Sequence, residues 1–227
     1  MKTSFYITFL ALISLTSSKR NLPKVDIYIE SLCDECALLI KSSILEYYNF
    51  NYELGELNLI PYGKATEEYN PQFNMYKYQC QHGMNECYGN LMQTCIIKDL
   101  KDIGLIICLY QNIFKNRQNF DITLNKCLKN NNEEKKKKIY DCMKSKRGNF
   151  YQHEMALKTQ SIKTLKWIPH IIVDDKRNII AERLIKKSLL QYFCDFPEND
   201  CKNHSFLGYT PYETFKDNKC KNPYLIN

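Results

Sequence analysis

Along Val25 to Glu30, VDIYIE, apolar and polar side chains alternate, the period-two pattern of a strand with one buried face. The period changes after Cys36. Ala37, Ile40, Ile44 and Tyr47 or Tyr48 fall three and four residues apart, which predicts a helix that buries one stripe. A second strand is predicted within YELGELNLI, ending at Pro61. Toward the other end, HIIVDDKRNIIAE reads as two strands around a tight turn at Asp175 to Arg177, and RLIKKSLLQYF reads as a helix. Strand, helix, strand, a long middle, then strand, strand, helix makes an α/β fold.

The middle, about residues 62–161, has a different character. It holds six cysteines and short helical stretches such as DLKDIGLIICLYQNIF and EEKKKKIYDCMK. The EEKKKK run could be a basic binding patch. Glu133 and Glu134 sit four residues before Lys137 and Lys138, however, the spacing of ion pairs on a solvated helix start. A single domain commonly takes about 100 to 150 residues, so the middle is read as a disulfide-rich helical insertion into a smaller core.

Residues 1–18, MKTSFYITFLALISLTSS, join a basic end, a short apolar run and small residues, the order of a secretory signal peptide. That run falls short of the ~20 apolar residues a spanning helix needs, and no membrane span is expected. Eleven cysteines on a secretory route argue for disulfides. The net charge of +7 is spread over a chain rich in Lys, Asn and Tyr, so no nucleic-acid partner is inferred.

Cys33 and Cys36 lie where the first strand gives way to the helix. A cysteine at the exposed first turn feels the positive end of the helix dipole, which favours the thiolate, and its partner lies one turn on. This spacing suits a redox pair. It also suits a structural bridge or half a zinc site, although zinc needs a second ligand pair and no C-x-x-C recurs. Asp34 and Glu35, between the two cysteines, would oppose the thiolate or be screened by water. In the middle, CQHGMNECYGNLMQTC offers Cys80, His82, Cys87 and Cys95, at intervals that match no usual zinc site, so disulfides are the better reading. His82 is either a proton shuttle for the thiols or a packed structural histidine.

At these residues the chain resembles the gamma-interferon-inducible lysosomal thiol reductase family. The family signature C-Q-H-G-x-x-E-C-x-x-N-x-x-x-x-C is matched by Cys80, Gln81, His82, Gly83, Glu86, Cys87, Asn90 and Cys95. The likeness extends to YIESLC, to LIPYGKA at Leu59 to Ala65, to Cys108, Cys127 and Cys142, and to Cys194 and Cys201. It implies a thioredoxin-like fold over residues 19–201, with the helical insertion inside it and residues 202–227 as a C-terminal tail, a candidate propeptide. It implies that Cys33 and Cys36 are catalytic and reduce disulfides of partly unfolded proteins, with a small thiol as reductant, at acid pH in a lysosome-like compartment or after secretion. No metal or organic cofactor is expected. The resemblance also makes Ile168 and Pro169 a substrate-groove support with a cis peptide bond, and leaves the role of Trp167 open. The rival readings are a disulfide oxidase or isomerase, and a non-catalytic secreted interaction protein. Asn203, in the sequon Asn203, His204, Ser205, is the expected glycan site. Cys220, the odd cysteine of the tail, is the candidate for a disulfide-linked homodimer.

Overall fold

The structure, a computed structural model, describes residues 22–50, 54–116, 118–128, 132–163, 165–196, 199 and 201. The signal segment, Asn203 and Cys220 lie outside them. The centre is a three-stranded sheet in the order β2-β1-β5. Strand β1 (Lys24–Ile29) runs parallel to β2 (Glu56–Pro61), with Ile27 opposite Leu59, and antiparallel to β5 (His170–Val173), with Ile27 opposite Ile171. Alternation along β1 sends Val25, Ile27 and Ile29 to one face, where they join the main core. Tyr28 faces the other way into a smaller cluster with Ile60, Tyr62, Met155 and Ala156.

Helix α1 (Asp34–Leu39) follows β1, passes through a π-helical turn at Ile40–Ile44 and continues as α2 (Leu45–Phe50). Its buried residues Ala37, Ile40 and Ile44 are those picked out by the three-and-four spacing. With the antiparallel strand at its edge and the C-x-x-C at the start of the first helix, this is the thioredoxin-like α/β arrangement.

Between β2 and β5 the chain forms a hairpin, β3 (Thr66–Asn70) and β4 (Met75–Gln79), and then helices α3 (Met84–Cys95), α4 (Ile103–Asn112), α5 (Phe120–Cys127), α6 (Glu133–Met143) and α7 (Lys146–Gln160). The hairpin departs from the helical expectation for the middle. Its turn is an Asx turn in which Asn70 Oδ1 accepts from the N–H groups of Gln72 and Phe73. Disulfides Cys95–Cys142, Cys108–Cys127 and Cys80–Cys87 lie within this middle, and Cys194–Cys201 closes the C-terminal end. The charged start of α6 pairs with itself through Lys138 to Glu134 at 2.7 Å, as its spacing indicates.

The expected second strand after Asp175 is a correction. Beyond one isolated bridge from Val173 to Lys176, the segment becomes α8 (Ile179–Lys187). Asn178 Oδ1 caps that helix by accepting from Ile180 and Ala181, and a capped start outweighs the strand-like run of isoleucines. The single helix expected next is two, because Ser188 ends α8 and caps α9 (Leu189–Cys194) through Gln191 N–H. Among the described residues, no helix is long and apolar enough to cross a membrane.

Candidate active site

Cys33 is the N-cap of α1, and its sulfur accepts a hydrogen bond from Cys36 N–H at 3.2 Å. The Cys33 N–H donates to the Glu30 carbonyl at 3.3 Å, which fixes the turn between β1 and α1. Both thiols are free, and they differ in setting. Cys33 is 8% exposed and Cys36 is 0% exposed, so the first turn is more covered than the expectation of an exposed cysteine allowed. The cover comes from the segment before β5, where the Ile168 carbonyl stands 3.8 Å from Cys33 Sγ. The Ile168–Pro169 peptide bond is cis.

The two sulfurs are tuned in opposite directions. The Cys33 pKa is lowered, first by the hydrogen bond with the Cys36 thiol and then by the N–H groups of Cys36 and Glu35, against burial and the charge of Glu30. The Cys36 pKa is raised well above its ordinary value by burial first and by Cys33 second, with the Glu30 N–H opposing and the Glu30 carboxylate adding. Asp34 and Glu35 are exposed. The carboxylate that bears on both sulfurs is instead Glu30, 2% exposed, which the sequence reading passed over. Its position in YIESLC, a charged residue where an apolar strand runs into the C-x-x-C turn, was the available signal.

Glu30 is enclosed on several sides. Its Oε1 accepts from Lys64 N–H at 2.7 Å, and its carbonyl accepts from the fully buried Tyr110 hydroxyl at 2.8 Å. Gly63, at φ +62°, passes so close that an added Cβ would meet Glu30 Cγ at 2.1 Å, so both the turn and the packing require glycine there. Burial raises the Glu30 pKa, and the Lys64 N–H opposes that shift.

The signature residues divide between the site and the scaffold. Asn90 Oδ1 accepts from Ser31 N–H at 2.8 Å, and the Ser31 hydroxyl donates to the Glu86 carbonyl at 3.0 Å, which docks α3 on the turn before Cys33. Cys80–Cys87 closes the loop that carries His82, and Gly83 caps α3 at φ 81°. His82 Nδ1 lies 2.5 Å from Glu86 Oε2 and 3.8 Å from Glu30 Oε2. Its pKa is raised, chiefly by the hydrogen bond to Glu86. Glu86, 0% exposed, also accepts from the His82 N–H at 3.1 Å. Ligand atoms of Glu30, His82 and Glu86 lie within 4.8 Å of one another and could hold a cation. Gln81 is exposed, while Cys95 is buried in its bridge to α6 and serves the scaffold. Trp167, 41% exposed, donates from Nε1 to Glu182 at 3.3 Å and lies under the Arg177 guanidinium at 4.8 Å.

Comparison with known proteins follows the same residues. Curated relatives named gamma-interferon-inducible lysosomal thiol reductase include one from Carassius auratus, 29% identical over 181 residues, covering 75% of this chain and 66% of that protein. One from Mus musculus is 27% identical over 158 residues, covering 67% of this chain and 61% of that protein. The chain thus spans just under two thirds of these relatives. A crystal structure of an oxidised DsbA1 mutant superimposes with a TM-score of 0.47 at 13% identity, over 78% of this chain and 85% of that one. The family model described as gamma interferon inducible lysosomal thiol reductase matches residues 24–146, more than half of the sequence and the stretch that carries both C-x-x-C and signature, and the chain belongs to that family.

Proposed function

We propose that the protein reduces disulfide bonds of partly unfolded proteins through Cys33 and Cys36, in an acidic compartment of the secretory route or after secretion. The observation that carries this reading is the unequal pair: a Cys33 sulfur held as the readier thiolate, with a buried Cys36 of raised pKa directly behind it. The Cys33 thiolate attacks one sulfur of the substrate disulfide and expels the other as a thiolate, leaving a mixed disulfide. Cys36, once deprotonated, attacks Cys33 Sγ, forms the Cys33–Cys36 disulfide and releases the second substrate sulfur. A small thiol then reduces the enzyme. The Ile168 carbonyl beside Cys33 supports an extended substrate chain laid against the segment before β5.

Insulin reduction tests the reading. The full chain should reduce insulin, Cys33→Ser should lose all turnover, and Cys36→Ser should accumulate a mixed disulfide. Activity that survives Cys33→Ser overturns it. A lowered Cys33 pKa also stabilises the reduced pair, which is the direction of a disulfide oxidase or isomerase. Equilibration with glutathione separates these roles, since a reductase needs a couple more reducing than the thiol pool of its compartment.

A further inference from the structure

We propose that Glu30, His82 and Glu86 form a binding site for one divalent cation of the zinc class, which clips the end of β1 to the start of α3 beside the redox turn. The inference goes beyond the reductase reading and does not rest on it. The ligands come from two parts of the molecule: Glu30 directly follows β1, His82 stands on the loop before α3, and Glu86 lies in the first turn of α3. Their ligand atoms all lie within 4.8 Å of one another. His82 Nδ1 is 2.5 Å from Glu86 Oε2 and 3.8 Å from Glu30 Oε2.

Both carboxylates are set in the same way. In each, Oε1 accepts from a backbone N–H, that of Lys64 at 2.7 Å for Glu30 and that of His82 at 3.1 Å for Glu86, and Oε2 is left facing His82 Nδ1. Fixed partners behind the ligand atoms are what orients the ligands of a metal site. The two carboxylate side chains are 2% and 1% exposed, and among the described residues only His82 forms an ion pair with either. One imidazole can serve one carboxylate, and Glu86 has it. Glu30 Oε2 accepts no hydrogen bond among the described residues, although its side chain is almost wholly buried. A buried carboxylate oxygen in that position is costly, and a His82–Glu86 pair alone would leave it so. A dication between the two Oε2 atoms and Nδ1 offsets the burial of both charges at once. The positive end of α3, equivalent to about half a charge, opposes a cation there and is outweighed by two carboxylates.

One nitrogen and two carboxylate oxygens suit zinc, which takes each at about 2.0–2.2 Å in a tetrahedron. At those lengths neighbouring ligand atoms lie about 3.3–3.5 Å apart. The observed 2.5 and 3.8 Å bracket that spacing, so small shifts seat the ion in place of the proton that His82 and Glu86 share. The His82 side chain is 42% exposed, which leaves a fourth position to water. Calcium needs roughly six to eight oxygens and magnesium an octahedron of them, which these side chains do not supply. Sulfur takes no part: Cys80, Cys87 and Cys95 are held in disulfides, and neither Cys33 nor Cys36 belongs to the cluster.

Calorimetric titration with zinc tests the site, on the full chain carrying Cys33→Ser, Cys36→Ser and Cys220→Ser so that no free thiol competes for the metal. One zinc per chain should bind, and zinc at a hundred times its Kd should raise Tm by about 5–10 °C, with no such rise from magnesium at the same concentration. Adding Glu86→Gln, or Glu30→Gln, which keeps an oxygen for Lys64 N–H, should raise the Kd about a hundredfold or more, because losing even a group behind a metal ligand costs about 10- to 100-fold. His82→Ala, on the exposed side, should do the same and abolish the zinc-induced rise in Tm; it decides the matter alone if the glutamate variants do not fold. No stoichiometric uptake, or uptake undiminished in the folded variants, overturns the inference. Because the titrated protein lacks both redox thiols, that failure leaves the reductase reading to the insulin assay.

Discussion

His170 is 0% exposed, and neither ring nitrogen has a hydrogen-bond partner. Burial lowers its pKa, with Arg177 and Lys186 adding and Glu182 opposing. A histidine whose folded pKa lies below its unfolded one binds fewer protons in the native state. Its neutral form therefore favours folding fully above the unfolded value near 6.5, and stability falls as pH drops below it. His82 runs the other way: its raised pKa contributes stability below the unfolded value that is lost as pH rises through the folded one. Replacing His170 by Phe should remove the acid penalty, so the variant should lose less Tm than wild type between pH 7.5 and pH 5. In a domain of this size each 1 kcal/mol corresponds to about 2–4 °C. Parallel melting curves at the two pH values would show that the buried ring costs nothing in acid. The same scale shows what the sequence could reveal about the site. Cys33 and Cys36 were legible as a candidate pair from spacing and residue type, and His82 only as one of two readings. Glu30 was not, because its effect depends on a burial created by Gly63, Lys64 and Tyr110, residues up to 80 positions away.

At the scale of elements, stability in the middle is divided unevenly among its disulfides. Cys95 and Cys142, both 0% exposed and 47 residues apart, join α3 to α6, while Cys80 and Cys87, seven apart, close one loop. On the chain-entropy account the longer loop is worth about 4 kcal/mol and the shorter about 2.5 kcal/mol. Denaturant unfolding of Cys95→Ala/Cys142→Ala should therefore show the larger loss, and Cys80→Ala/Cys87→Ala the smaller. The order of activity loss should be reversed, since the short bridge holds the His82 loop. Equal effects on stability and activity would mean that the bridges are interchangeable. Elements with one clear period, β1, β2 and the helix after Cys36, could be read from the chain. The β3–β4 hairpin could not, because neither TEEYN nor MYKYQ contains a fully buried residue and TEEYN carries no apolar alternation. Nor could α8, since RNIIAE fits a strand until Asn178 is known to cap it.

Across the whole molecule, no disulfide among the described residues ties the middle to the sheet. The two are joined by a shared apolar core, in which Ile27 and Ile29 cluster with Met92, Ile96 and Ile106, and by polar contacts: Ser31 to Asn90 and Glu86, Tyr110 to Glu30, and Gln152 Nε2 to the Pro61 carbonyl at 2.9 Å. Eight of the ten cysteines among the described residues pair with one another and Cys33 and Cys36 are free thiols, so Cys220, which lies outside the described residues, is the candidate for a bond between chains. Intact protein should therefore run as a disulfide-linked dimer on a non-reducing gel, and Cys220→Ser as a monomer; identical migration of the two excludes that bond.

On the proposed reading, a reagent that cuts disulfides carries four of them among its own described residues, so it belongs to the class of its targets. Depth decides which staples are safe. Cys95–Cys142 is sealed in the core, whereas Cys80 and Cys87 are only half-buried and close the loop that carries His82. Under a strong reducing excess the short bridge would open first, releasing His82 from its place next to Glu30. The chain would thereby blunt its own cutting edge before its scaffold came apart.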